Sequence, residues 1–153
     1  LGKEHDLTLY FEMRPGFPTQ VEGVDSGAYQ LIIRLDHAAN LRVGALGSFD
    51  FRPGVYIYTG RAVRNLAARL TRHVCAKKAL RWHIDYLLEA ASVEAIRIYP
   101  GRADEECAIN LETVRVHRYS FPIPGFGSSD CRCPAHLVWA GNRKHQARPL
   151  HGG

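Results

Sequence analysis

Between Gly27 and Tyr58 four segments of strand character follow one another with no room for a helix between them. They are Ala28-Tyr-Gln-Leu-Ile-Ile-Arg-Leu35, Leu41-Arg-Val43, Ser48-Phe-Asp-Phe51 and Val55-Tyr-Ile-Tyr58, rich in β-branched and aromatic residues. Asp36-His-Ala-Ala-Asn40, Gly44, Gly47 and Pro53-Gly54 are turn chemistry between them. A parallel pair needs a crossover of about a dozen residues or more, so these strands can pair only antiparallel. A meander with an inserted hairpin is the expected arrangement, and the domain proper begins at Gly27.

The last of these runs leads into a helix. Thr59-Gly60 is expected to break the strand, after which Val63, Leu66, Ala67, Leu70 and Val74 recur at helical spacing and predict one buried stripe. Arg69 and His73, four residues apart, share another face of that helix. A tyrosine leaving a strand therefore faces an arginine and a histidine on the next element.

Further on, Trp82-His-Ile-Asp-Tyr-Leu-Leu-Glu-Ala-Ala91 reads as a second helix with Trp82, Ile84, Tyr86, Leu87 and Leu88 on its apolar side. Val93-Glu-Ala-Ile-Arg-Ile98 alternates as a strand, and residues 104–114 form a third helix with acids in its first turn, where the helix dipole favours them. A turn-rich loop from Phe121 to His136 precedes a final strand, Leu137-Val-Trp139. The fold class is thus α+β, a small antiparallel sheet flanked by about three helices. Residues 1–26, with Arg14-Pro-Gly-Phe-Pro18, are expected to be an arm that lies against the domain or is disordered. The domain is expected to span residues 27–140, followed by a loose basic tail over 141–153 carrying Arg143, Lys144 and Arg148.

A chain of 153 residues can bury one proper core. Its formal net charge of +5 is local: residues 61–84 hold seven Lys or Arg and no acid, and the remainder is slightly acidic. Such a field suits a phosphate-bearing partner, with Arg61, Arg64, Arg72, Lys77, Lys78 and Arg81 as its contacts; a solvated helix face is the plainer alternative. No segment approaches the ~20 apolar residues that cross a bilayer, and the mixed charge of residues 1–6 is unlike a signal peptide. A cytoplasmic location is the expectation, and there the four cysteines are thiols or metal ligands rather than disulfides.

Gly27-Ala-Tyr29 and Tyr58-Thr-Gly60, followed by Leu66, Arg69 and His73, resemble the paired tripeptides and Arg-bearing helix of the GIY-YIG nuclease superfamily. Arg81-Trp-His-Ile-Asp-Tyr-Leu-Leu88, Glu105-Glu-Cys107 and the block from Pro124 to Leu137 resemble its stand-alone Uri-type branch, a domain also found attached to archaeal endonuclease III-like glycosylases. The resemblance covers about residues 26–140. Two departures stand out. Tyr29 and Tyr58 lie 29 residues apart, farther than the superfamily's short hairpin allows, so an extra pair of strands must be inserted. Many relatives also place an asparagine near the site where this chain has Asp130-Cys-Arg-Cys133.

The resemblance implies a metal-dependent DNA endonuclease in repair or processing, using Mg²⁺ or Mn²⁺. Glu106 is then the metal ligand, with Glu105 and Asp130 in reserve; Glu105 and Glu106 point about 100° apart on a helix, so only one faces the site. Tyr29 orients or deprotonates the attacking water with Tyr58 beside it, and Arg69 binds phosphoryl oxygens as a bidentate donor. A tyrosine is a poor base near neutral pH unless cations lower its pKa, a role open to Arg69, His73 and the metal. His73 itself binds phosphate or passes a proton. His83 and Asp85 form the site's outer shell or anchor the second helix.

Cys131, Cys133 and His136 have ligand types that suit zinc, with Cys107 or His117 as a fourth; a hydrogen-bonded loop is the competing reading. Beside the nuclease stand two rivals, a nucleic-acid-binding module that no longer cuts and a zinc-stabilised interaction domain that docks on a repair protein. DNA is expected over RNA as partner, and a monomer over an oligomer.

Overall fold

The structure, a computed structural model, describes residues 7–13, 23–75 and 77–142. The expectations for residues 1–6 and 14–18 and for the basic residues of the tail lie outside the described residues.

Among the described residues, seven strands and three helices follow in the order β1 (Leu9–Glu12), β2 (Gly27–Leu35), β3 (Ala39–Arg42), β4 (Ser48–Phe51), β5 (Gly54–Ala62), α1 (Leu66–Val74), α2 (His83–Leu87), β6 (Ser92–Pro100), α3 (Glu106–His117) and β7 (Leu137–Trp139). Five of the strands form an antiparallel sheet in the order β1-β6-β2-β5-β7, and β3 and β4 pair in a separate two-stranded sheet. The chain is α+β, as the short connections require, and the inserted hairpin is present. It stands outside the sheet, because β2 pairs with β5 along all nine residues and with β6 on its other edge.

Both faces of β2 are covered. Tyr29, Leu31, Ile33 and Leu35 meet the packing around α1, α2 and Phe126, whereas Ile32 joins Val55, Ile57, Ala95 and Val138 under Val114 of α3. A strand buried on two faces loses its polar alternation, which is why 28–35 reads as a nearly continuous apolar run. Gln30 on the α3 side is fully buried but satisfied: its amide donates to Thr59 and Thr113 and its carbonyl accepts from Arg97 and Tyr99.

Several boundaries differ from expectation for local reasons. Strand β5 does not break at Thr59-Gly60 but runs on to Ala62, since the ladder with β2 continues to the pair Gly27 and Ala62. The side chain and carbonyl of Asp25 then accept the amides of Asn65 and Leu66, so α1 starts only at Leu66. Val63, expected in the buried stripe, falls in the intervening turn and is 72% exposed. Helix α2 stops at Leu87, where bonds from Glu89 to Tyr86 and from Ala90 to Leu87 tighten the chain into 3₁₀-type turns. The arm is in part structural, because Leu9–Glu12 adds an edge strand beside β6.

Two glycines are dictated by close approach. A Cβ on Gly27 would stand 2.6 Å from the Tyr99 carbonyl oxygen, and one on Gly60 would stand 2.6 Å from the ring of Tyr29. The glycine of each tripeptide therefore makes room at the β2 ladder, and Gly60 in particular leaves space for the tyrosine opposite.

Candidate active site and metal centre

One open cleft, of about 540 Å³, is lined by Tyr29, Tyr58, Arg61, Arg69, Trp82, His83, Glu106 and Asp130 among others. Its residues come from β2, β5, α1, α2, α3 and the loop before β7. The cleft brings together the two tyrosines, the arginine and the acid singled out in the sequence.

Tyr29 Oη lies 2.6 Å from His73 Nε2, and both side chains are buried. Tyr58 and Trp82 place their rings 6.0 and 5.7 Å from that of His73. His73 Nδ1 has no hydrogen-bond partner among the described residues. Burial, reinforced by the charges of Arg69, Arg72 and Lys78 against that of Asp85, lowers the His73 pKa to about 3. His73 is therefore neutral and sealed from solvent, so its expected contact with phosphate is corrected to a contact with Tyr29. Burial likewise pushes Tyr29 and Tyr58 well above the usual phenol value, and Arg69 offsets only part of this. The expected lowering of these tyrosines by neighbouring side chains does not occur, because desolvation outweighs Arg69.

Arg69 is held in place by donating from Nη1 to the Arg61 carbonyl at 2.9 Å and by lying 4.7 Å over the Trp82 ring. Trp82, expected only on the apolar side of the second helix, also carries Arg72 4.3 Å over its ring, so it braces two arginines at once. Arg72, expected among the phosphate contacts, instead forms a fork to Asp85 at 3.0 and 2.9 Å and donates to the Ala79 carbonyl. Lys78 is likewise turned to the carbonyls of His73 and Cys75 at the end of α1. Cations there complement the exposed helix carbonyls and the dipole. Arg61, Arg64 and Arg81 line the cleft and are exposed, whereas Lys77 is exposed outside its lining.

Asp85 is fully buried and accepts from the backbone amides of Arg81 and Trp82 at 2.8 Å each. Burial raises its pKa, but Arg72 and the two amides outweigh that and hold it below the usual carboxylate value. Asp85 is thus the anchor of α2. His83 lines the cleft, and its Nδ1 accepts the Gly127 amide at 2.8 Å, which ties the loop before β7 to α2; burial lowers its pKa.

At the start of α3 the two adjacent acids diverge. Glu105 pairs with Arg102 at 2.8 Å, whereas Glu106 faces the cleft with Oε1 3.7 Å from Arg61 Nε and Oε2 3.2 Å from His136 Nδ1. Asp130 stands exposed on the cleft's lining.

Behind Glu106 lies a cluster that could hold a metal ion. One ligand atom from each of Cys107, Cys131, Cys133 and His136 lies within 4.8 Å of every other. His136 Nε2 is 3.3 Å from Cys131 Sγ and 3.6 Å from Cys107 Sγ. His117 is stacked on Tyr119 instead, so the fourth member is Cys107. Burial raises Cys131, but the Cys133 amide, the Cys107 thiol and His136 outweigh it and lower its pKa; burial and the adjoining thiols raise Cys107. Burial would lower His136, yet Glu106 and the Thr59 carbonyl raise it to about 10. The contact between His136 and Glu106 left no trace in the sequence, since their 30-residue separation has no periodic meaning.

The loop that carries three of these ligands is tied at several points. Thr59 N donates to the His136 carbonyl, His136 N to that of Phe126, and Asn110 to that of Ala135. No helix among the described residues is long and apolar enough to cross a membrane.

Residues 28–151 match a family model described as a domain of unknown function, DUF123. Comparison with curated proteins and with solved structures returned no match.

Proposed function

The chain belongs to the DUF123 family, and from its cleft we propose that it is a divalent-metal-dependent phosphodiesterase that cuts the nucleic-acid backbone, with DNA the first substrate to test. One observation carries the reading: Tyr29, Tyr58, Arg69 and Glu106, from four different elements, converge on a single cleft. The resemblance of the two tripeptides to those of GIY-YIG nucleases supports the same chemistry.

Glu106 fits a hard cation. Its Oε1 is beyond hydrogen-bond distance from Arg61 and keeps lone pairs toward the cleft, and Mg²⁺ needs only one or two carboxylates because it keeps several waters. Asp130 is the second carboxylate within the cleft. Bound at Glu106, the cation supplies charge neutralisation and acidifies water.

The chain's own residues do the rest. Arg69, braced by the Arg61 carbonyl and Trp82, offers its remaining N–H groups to the phosphoryl oxygens. A buried lone pair left unpaired is better tolerated than a buried N–H without an acceptor, which favours the His73 tautomer with its hydrogen on Nε2. His73 then donates to Tyr29 Oη and leaves the phenolic hydrogen free to orient a water. Tyr58 is neutral and acts beside it as a donor or acceptor.

The cysteine cluster suits zinc. With Zn–S about 2.3 Å and Zn–N about 2.0–2.1 Å, a tetrahedral site has N-to-S edges of about 3.5 Å. The observed separations of 3.3 and 3.6 Å support a site shaped in advance for that ion. We read it as a structural ion that staples the loop before β7 to α3.

The test is nicking and cutting of supercoiled plasmid and of branched and single-stranded oligonucleotides with Mg²⁺ or Mn²⁺. Cleavage by the wild type should fall on the order of 10²-fold or more in Glu106→Ala and in Arg69→Ala, the scale seen when one preorganised charge or donor is removed. Cleavage that survives both changes would overturn these roles. Salt-sensitive binding without any product would favour the non-cleaving module instead.

A further inference from the structure

His136 has a contact on each side of its ring, and the two contacts belong to different centres. Nδ1 faces two acceptors, Glu106 Oε2 at 3.2 Å and the Thr59 carbonyl at 3.0 Å. An atom between two acceptors must carry hydrogen, so Nε2 is the nitrogen left for a metal, and it points at Cys131 and Cys107. The ring is buried, and its backbone is held on both sides by Thr59 and Phe126, which leaves little freedom to turn.

We infer that His136 links the thiolate centre to the cleft: Nε2 ligates the ion at Cys107, Cys131 and Cys133 while Nδ1–H holds Glu106, so that filling that centre fixes the cleft carboxylate. This rests on the zinc reading above. Metal-bound histidines commonly donate their second N–H to a carboxylate, which orients the ring and strengthens the ligand. Here the carboxylate is also a wall of the cleft, and the support works in both directions. Glu106 strengthens the histidine ligand, and the loaded centre stops Glu106 from swinging toward Arg61.

The experiment is a chelator-competition titration of zinc on the wild type, Glu106→Gln and Glu112→Gln, the last altering an exposed acid on the same helix that pairs only with Arg115 among the described residues. Glu106→Gln should weaken zinc about 10- to 100-fold, the usual effect of losing such a carboxylate, and should shift the ligand-field bands of the Co²⁺-loaded protein. Glu112→Gln should do neither. Equal zinc affinity and an unchanged Co²⁺ spectrum in Glu106→Gln would overturn the link while leaving the zinc centre standing. A wild type that takes up no zinc would remove the centre itself and the link with it. On the cleft side, His136→Cys keeps four ligands: retained zinc with weaker Mn²⁺ binding by electron paramagnetic resonance is expected, and unaltered Mn²⁺ binding would overturn the inference.

Discussion

Below about pH 6.5 an unfolded chain protonates a histidine that the folded protein holds neutral at position 73. The folded pKa is lowered to about 3, so the unfolded state binds more protons throughout the window between the two values. The contribution of this residue to stability is therefore complete above pH 6.5, falls as the pH drops, and levels off below about 3. The slope within the window approaches ~1.4 kcal/mol per pH unit. His73→Gln removes the titration while keeping a group that can bond Tyr29. It should be about 1 kcal/mol less stable than wild type at pH 7.5, the scale of one impaired hydrogen bond. The two should become equal near about pH 6 and the order should reverse below it, with the variant the more stable by about 1.5 kcal/mol at pH 4.5, as urea midpoints at several pH values will record; a constant gap would show that His73 takes up its proton in the folded state. The same burial explains why the direction of the tyrosines' shift is not legible in the sequence. Charges near Tyr29 and Tyr58 are visible as letters, whereas the dry surroundings that outweigh them exist only after β2, β5 and α1 have packed.

At the scale of elements, α2 shows how a helix of five residues is held. Asp85 takes two backbone amides at its N-terminus and the Arg72 fork from α1, so one carboxylate joins two helices and places Trp82 and His83 on the cleft. Asp85→Ala would leave two amides without their acceptor and the Arg72 guanidinium with only the Ala79 carbonyl among its hydrogen-bond acceptors in the described residues. A loss of about 3 kcal/mol is expected, the lower end for breaking a buried pair because Arg72 keeps some solvent. Asp85→Asn, which still accepts from the amides, should cost less. Thermal or urea denaturation checks both, and a loss within about 0.5 kcal/mol for Asp85→Ala, as at ordinary surface sites, would contradict the anchoring role. Helices and strands were legible here as periodicity, but their ends were not. The end of β5 depends on a partner strand and the start of α1 on Asp25, neither of which lies within the local pattern.

For the whole molecule, strand pairing was readable from connection length, since short links permit only antiparallel neighbours, and the hairpin of β3 and β4 was readable from the excess spacing between Tyr29 and Tyr58. Which basic residues face a ligand was not, because a run of seven cations does not say which have carbonyls or carboxylates to satisfy. Arg72 and Lys78 are spent on Asp85 and on the end of α1; Arg61, Arg64 and Arg81 remain exposed on the cleft. Binding of duplex DNA should reflect that division. Each phosphate neutralised contributes about 0.9 to the slope of log K against log salt. Arg61→Ala, Arg64→Ala and Arg81→Ala should therefore each flatten the slope by about that amount. Lys78→Met removes the same charge, yet its ammonium lies along a separate hollow with His73 and Val74, and the slope should stay as in wild type. Fluorescence anisotropy across a salt series measures all four. An equal flattening by Lys78→Met would mean that the backbone follows the whole basic run rather than the cleft, and the path of the nucleic acid would have to be redrawn along α1.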